Sequence, residues 1–118
     1  MVIGEMKLEG IDILTLEGRF DAHTVPAASK WLEEVTAKLP PQIVVNMEDV
    51  NFVDSAGLAT LVKGMKRSRE LDGNLVIFGL QQPVKIIFEL TRLDKAIDIF
   101  DNEDDAVASF SRAYVDVN

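Results

Sequence analysis

The hydrophobic residues of this chain change spacing repeatedly, from the alternating or continuous pattern of strands to the 3.6-residue pattern of helices and back. That switching restricts the fold more than any other feature. Residues 2–8 and 11–17 are short β-rich stretches separated by Glu9-Gly10, which predicts a hairpin or tight connection. Thr24 is placed to cap a helix whose first turn accepts Pro26. Ala28, Trp31, Leu32, Val35 and Leu39 then recur at helical spacing until Pro40-Pro41 stops the run. Ile43, Val44 and Val45 form a continuous apolar run with β-branched side chains, the pattern of a central strand buried on both faces. After a segment at 48–54, Leu58, Leu61, Val62 and Met65 line one face of a second helix that ends near Asp72-Gly73. Residues 75–78 give another buried strand, and Pro83 opens a short helix carrying Val84, Ile87, Phe88 and Thr91. Residues 97–100 give a last short strand. Asn102 caps a final helix whose first turn, Glu103, Asp104 and Asp105, complements the macrodipole; Arg112 lies near its other end, and Val107, Phe110 and Tyr114 supply its buried stripe.

The order ββαβαβαβα implies right-handed crossovers and an α/β fold: a mixed, mostly parallel β-sheet of about five strands packed with four to five α-helices, the first hairpin antiparallel at one side. A length of 118 residues suits one core and leaves no room for a second domain of ordinary size, so residues 1–118 are expected to form a single domain. In such sheets the loops leaving the carboxyl ends of the strands carry function. Two stand out, at 18–24 and 48–57.

Composition removes whole classes of chemistry. With no Cys there is no disulfide, zinc-thiolate site or thiol nucleophile, and a single His, His23, leaves no multi-histidine metal site; no metal is expected. A net charge of −8 repels phosphate backbones and anionic bilayers, so neither nucleic acid nor membrane is an expected partner. Much of the acidic excess lies in residues 94–118, which leaves the body of the chain nearly balanced. Apolar stretches run to about six residues against the roughly 20 of a membrane span, and Glu5 and Lys7 interrupt the start where a signal sequence would be apolar. A cytoplasmic protein is expected. Neither a Walker loop nor a dinucleotide fingerprint follows any strand, so no cofactor is expected.

The residues that carry chemistry lie at 50–58, where Asp54-Ser55-Ala56-Gly57-Leu58 opens the second helix. Either Asp54 or Ser55 serves as a simple helix cap, the commonest use of such residues, or Ser55 is a phosphoacceptor at a helix start that tolerates an added dianion. The two readings are compatible. A nucleophilic serine is disfavoured, because Val53 stands where the nucleophile elbow needs glycine, although Ser55, His23 and Asp21 share the two loops. Gly57 either lets another backbone approach the helix start or merely weakens the helix. Asp21 reads on its own as a turn or capping carboxylate before Thr24. Lys63, Lys66, Arg67 and Arg69 read as a solvated face favourably placed toward a helix C-terminus, with a partner surface as the alternative.

Three segments carry a family resemblance: Leu16-Glu17-Gly18-Arg19-Phe20-Asp21-Ala22, the stretch 52–61 around Asp54-Ser55-Ala56-Gly57-Leu58, and Pro83-Val84 followed by Phe88-Glu89-Leu90-Thr91-Arg92-Leu93. In order and spacing they resemble a STAS domain of the anti-sigma factor antagonist (anti-anti-sigma factor) family, and the likeness extends over residues 4–111. It implies the STAS fold and a non-enzymatic binding module. By that resemblance Ser55 is the position phosphorylated by an anti-sigma factor serine kinase of the GHKL type, and a PP2C-type phosphatase acts on the phosphorylated form. The same resemblance implies that Asp21, Ala22, Asp54, Ala56, Gly57, Leu58 and Thr60 belong to the partner-binding surface. Asn46 and Asn51 stand where relatives often carry Asp, and Ala56 where they often carry Ser or Thr, so Ser55 is the one acceptor within the motif. The alternative is a constitutive STAS scaffold, or a regulatory subunit of a transporter or signalling complex, in which Ser55 is only a cap.

Overall fold

The computed structural model describes residues 2–111. Along them run β1 (Val2–Leu8), β2 (Ile11–Phe20), α1 (Val25–Val35), β3 (Gln42–Val53), α2 (Ser55–Glu70), β4 (Asn74–Phe78), α3 (Gln82–Leu90), β5 (Ile99–Phe100) and α4 (Glu103–Ala108), with 3₁₀ turns at Leu93–Lys95 and Ser109–Ser111. The strands form one sheet in the order β1-β2-β3-β4-β5. β1 is antiparallel to β2 and every other neighbouring pair is parallel. The α/β class, the mixed and mostly parallel sheet, and the antiparallel hairpin at one side are as the hydrophobic periods predict.

The sheet is covered on both faces, which is why its central strands lack polar alternation. On one face Ile43, Val45 and Met47 of β3 and Leu75 and Ile77 of β4 pack with Ala28, Trp31, Leu32 and Val35 of α1, Leu61 and Met65 of α2, and Val84 and Phe88 of α3. On the other, Val44, Val76, Phe78, Ile11 and Ile13 meet Ala106 of α4, with Phe100, Val107 and Phe110 partly buried beside them. The stretch Ile43-Val44-Val45 is wholly buried, as its composition requires.

Several boundaries differ from expectation, for local reasons. β2 continues past residue 17 to Phe20, and β3 runs on through 48–53, where a loop was expected. The two extensions sustain each other: Glu17 pairs with Asp49, Gly18 with Val50, Arg19 with Phe52 and Phe20 with Val53, across register shifts after Thr15 and after Gly18. Those shifts break the two-residue alternation, so the stretch does not read as strand in sequence. α1 stops at Val35, where turn bonds from Ala37 to the Glu34 carbonyl and from Lys38 to the Val35 carbonyl replace the helix, and Leu39 beyond them is 75% exposed instead of buried. Thr24 occupies the cap position of α1, but its hydroxyl donates back to the carbonyls of Arg19 in β2 and Asp21 and caps no helix N–H. Thr91 is exposed, its hydroxyl donating to the Ile87 carbonyl, and Ile97 is buried but lies outside β5. Arg112 and Tyr114 of the expected last helix lie outside the described residues.

Candidate functional site

The paired ends of β2 and β3 bring the two expected functional loops together, shortened to residues 21–24 and to Asp54 alone. Asp54 is the N-cap of α2, in extended backbone (φ −101°, ψ −175°), and its Oδ1 accepts from the Gly57 N–H at 2.9 Å. Its second oxygen, Oδ2, accepts from the Ala22 N–H at 3.1 Å. One carboxylate thus caps the helix and clamps the neighbouring loop. Below it, the Asp54 N–H donates to the Phe20 carbonyl at 3.3 Å. Gly57 is buried against that same carbonyl: a Cβ at this position would collide with the Phe20 oxygen and lie 2.9 Å from Val53 Cγ1. Here glycine is a packing requirement set by the close approach of β2, which selects between the two readings of this residue.

Ser55, the first residue of α2, is exposed, and among the described residues no hydrogen bond engages its hydroxyl. The ambiguity over which residue caps the helix is therefore settled by geometry in favour of Asp54. Helix-start N–H groups lack intrahelical partners and the macrodipole is positive at this end, so the hydroxyl stands where added negative charge is best tolerated. His23, on the loop at residues 21–24, is exposed. Asp21 Oδ1 accepts from the His23 backbone N–H at 3.0 Å, not from the ring, so the Ser55, His23 and Asp21 set is not wired as a nucleophile, base and orienter.

Asp21 is only 8% exposed and is turned into its own loop, as its reading as a turn carboxylate anticipates. Its Oδ2 accepts from Arg19 Nε at 3.2 Å, and its backbone N–H donates to Thr24 Oγ1 at 2.9 Å. Desolvation alone would raise the Asp21 pKa, but the Arg19 hydrogen bond, the backbone N–H groups of His23 and Thr24 and the Arg19 charge outweigh it and hold the carboxyl below its ordinary value. The Arg19 guanidinium in turn lies 3.9 Å from the centroid of the Phe52 ring. Ala22 is exposed, Ala56 and Leu58 are half-buried, and Thr60 is buried with its hydroxyl donating to the Ala56 carbonyl at 2.9 Å. The exposed residues of the two loops and the helix start are therefore Ala22, His23 and Ser55, with Asp54, Ala56 and Leu58 half-buried. Asp21, Gly57 and Thr60 lie beneath them as supports.

The family model for the STAS domain matches residues 6–106. The chain belongs to the STAS domain family. The anti-sigma-B factor antagonist of Listeria monocytogenes is 33% identical to it over 97 residues, covering 82% of this chain and 84% of that protein. Among solved structures, an anti-sigma factor antagonist from Mycobacterium paratuberculosis superposes with a TM-score of 0.83 at 23% identity, covering 94% of this chain and 93% of that one. The anti-sigma factor antagonist SpoIIAA in its unphosphorylated form gives a TM-score of 0.73 at 17% identity, over 95% of this chain and 98% of that one. The Bacillus cell fate determinant SpoIIAA in its phosphorylated form gives 0.71 at 18% identity, over 92% and 98%. At these identities the structures establish the fold of this STAS domain.

Sequence reasoning missed two contacts of the site. The Arg19 and Phe52 contact depends on the β2–β3 register, which places them opposite one another only because of the shift after Gly18. The Asp54 bridge to Ala22 spans 32 positions, and the only local sign of it is a cap-competent Asp beside a cap-competent Ser. A cavity of about 640 Å³ between α1 and α2, lined by Leu32, Leu58, Thr60, Val62 and Lys63 among others, begins one turn beyond Ser55 and extends the half-apolar surface along the helices. Arg67 and Arg69 of the basic row are engaged with Glu70 at 3.8 Å and Asp98 at 3.9 Å, which fits a solvated helix face.

Proposed function

We propose that this STAS domain is a non-enzymatic anti-sigma factor antagonist that works by partner switching: unmodified, it binds an anti-sigma serine kinase of the GHKL type, and phosphorylation of Ser55 releases the kinase. A PP2C-type phosphatase resets it. The observation that carries the reading is the division of labour at the start of α2, where Asp54 does the capping and leaves the Ser55 hydroxyl exposed and unengaged. The names of the curated relatives support the antagonist role, and SpoIIAA, solved in both phosphorylation states, resembles this fold about equally in each.

Release follows from the interface and not from the fold. A phosphoserine carries about −1.5 to −2 charges at neutral pH and would sit beside Asp54 in a protein already at −8. Within the domain, the helix dipole and the free N–H groups of the first turn offset part of that repulsion. A partner surface shaped for a hydroxyl must instead desolvate the dianion or open. A hundredfold loss of affinity takes about 2.8 kcal/mol, within reach of combined steric, desolvation and charge costs. The test incubates the protein with its kinase and ATP, maps phosphate by mass, and compares kinase affinity and amide NMR spectra of the two forms. One phosphate at Ser55, affinity down at least about a hundredfold, and shifts confined to residues 18–24 and 48–62 are expected. Phosphate found only elsewhere, unchanged affinity, or spectral change across the sheet overturns the reading.

A further inference from the structure

β1 is an edge strand, paired only with β2 among the described residues. Its connection to β2 is the two-residue turn Glu9-Gly10, with φ of 53° and 83°, closed by Leu8 opposite Ile11. A two-residue hairpin makes that closing pair a hydrogen-bonded one, and the pattern alternates along the strand. Gly4, Met6 and Leu8 therefore direct their backbone N–H and C=O groups to β2, while Glu5 and Lys7 direct theirs to the open edge. Glu5 and Lys7, adjacent along that open edge, thus carry opposite charges. Both are exposed, and Met6 (50%) and Leu8 (37%) are among the few large apolar side chains left in solvent.

We propose that a second copy of this chain is the occupant of this edge, pairing antiparallel through β1 with Glu5 of each copy opposite Lys7 of the other and Met6 against Met6 on the two-fold axis. Backbone parity allows only registers that match outward residues with outward residues. Sliding one way by such a step sets Glu5 opposite Glu5; sliding the other way sets Lys7 opposite Lys7 and Glu5 opposite Glu9. Directly opposed like charges destabilise a sheet and opposite ones stabilise it, so the central register is selected. It also lays Met6 and Leu8 of both copies on one face, continuous with the side of the sheet formed by Ile11 and Ile13, since Met6 pairs with Ile13 and Leu8 with Ile11. Charged residues commonly protect an edge, and repulsion adds to that protection where copies would oppose like charges. An alternating Glu and Lys pair is self-complementary. Lys7 also lies 3.5 Å from Asp12 of its own chain, yet its side chain remains 55% exposed and free to reach across. An edge this short buries less than the roughly 1,200 Å² of a standard interface, so the dimer is reversible and concentration-dependent.

Sedimentation equilibrium from about 10 μM to 1 mM, spanning the weak range expected of a small interface, tests the pairing. The wild type is expected to pass from monomer to dimer. Glu5→Lys and Lys7→Glu, each creating two like-charge contacts per dimer, are each expected to weaken it about tenfold. An equimolar mixture of the two variants, and the Glu5→Lys/Lys7→Glu double variant, are expected to recover association. Thermal unfolding of each variant confirms that the domain remains folded, and the mixture separates charge complementarity from any loss of the Lys7 and Asp12 contact. In amide exchange, protection of Glu5 and Lys7, but not of Met6, is expected to rise with concentration. A monomer throughout the range, single variants that dimerise like the wild type, or edge protection that appears only when the kinase is added would overturn the proposal.

Discussion

Replacing Asp54 separates the two jobs its carboxylate performs. Asp54→Asn keeps one side-chain oxygen and presents an amide N–H₂ in place of the other, so whichever way the amide turns, either Gly57 N–H or Ala22 N–H loses its acceptor. Asn caps helices as well as Asp, so the cap at 2.9 Å is retained and the 3.1 Å bond to Ala22 is lost. A hydrogen bond to a charged group contributes about 1.5–3 kcal/mol, and solvent exposure at Ala22 brings this one to about 1 kcal/mol. Asp54→Ala removes the cap as well, a further ~1 kcal/mol. For a domain of this size the corresponding falls in Tm are about 4 °C and about 8 °C. Urea unfolding supplies the free energies, and amide exchange supplies the assignment. Ala22 N–H should lose protection in both variants, and Gly57 N–H only in Asp54→Ala. Ala22 exchange unchanged in both, or an Asp54→Ala variant within about 0.5 kcal/mol of wild type, the range of an uninvolved surface change, would refute the bridge.

The same geometry sets three further expectations. Ser55→Ala should abolish phosphate incorporation and leave stability within about 0.5 kcal/mol in urea unfolding, since the hydroxyl caps nothing; a loss above 1 kcal/mol would return the cap to Ser55. Gly57→Ala should cost about 1–3 kcal/mol or more, because the clash is with the Phe20 backbone and not with a flexible side-chain end; a neutral result would show that β2 and α2 can move apart. Asp21 stabilises the folded state through a depressed carboxyl pKa, so its contribution is complete above the unperturbed value of 3.8 and is lost as pH falls through the lower folded value. The gap in urea midpoint between wild type and Asp21→Ala should therefore be constant near neutrality and close in strong acid, and a gap independent of pH down to 2 would show that the charged form is not what the loop holds.

Period switching reads the fold well where each segment obeys one period. α2, with Leu61 and Met65 inward and Lys63 and Lys66 outward, and the wholly buried Ile43-Val44-Val45 are of this kind. It fails where pairing partners distant in sequence decide the outcome. Gly18, Glu48 and Asp49 have turn composition, yet each lies in a strand, because the ends of β2 and β3 stabilise one another across two register shifts that no window of sequence displays. Leu39 fails for the opposite reason: it keeps the helical spacing four residues after Val35, but the helix has already ended. The site divides in the same way. Ser55 at a helix start and the need for glycine at 57 are legible from local chemistry. The choice of Asp54 over Ser55 as cap is not, because the two residue types cap about equally well and only the backbone entering α2 distinguishes them.

Under the proposed function, that choice of cap bears on how a serine open to phosphorylation is kept in a small domain. A serine that caps a helix has its oxygen committed to a backbone N–H, and esterifying it would trade a cap for bulk at the point where the helix begins. Moving the cap one residue earlier, onto a carboxylate that also fastens the adjacent loop through Ala22, makes the helix start independent of the state of Ser55. The supports beneath are of the same kind. Asp54 N–H is bonded to the Phe20 carbonyl, Gly57 is packed against it, and the Thr60 hydroxyl is bonded to its own helix, so none of the contacts that shape the site passes through the serine oxygen. A charge added at Ser55 therefore changes what the surface presents while leaving in place the bonds that hold the surface, as a reversible signal read by a binding partner requires.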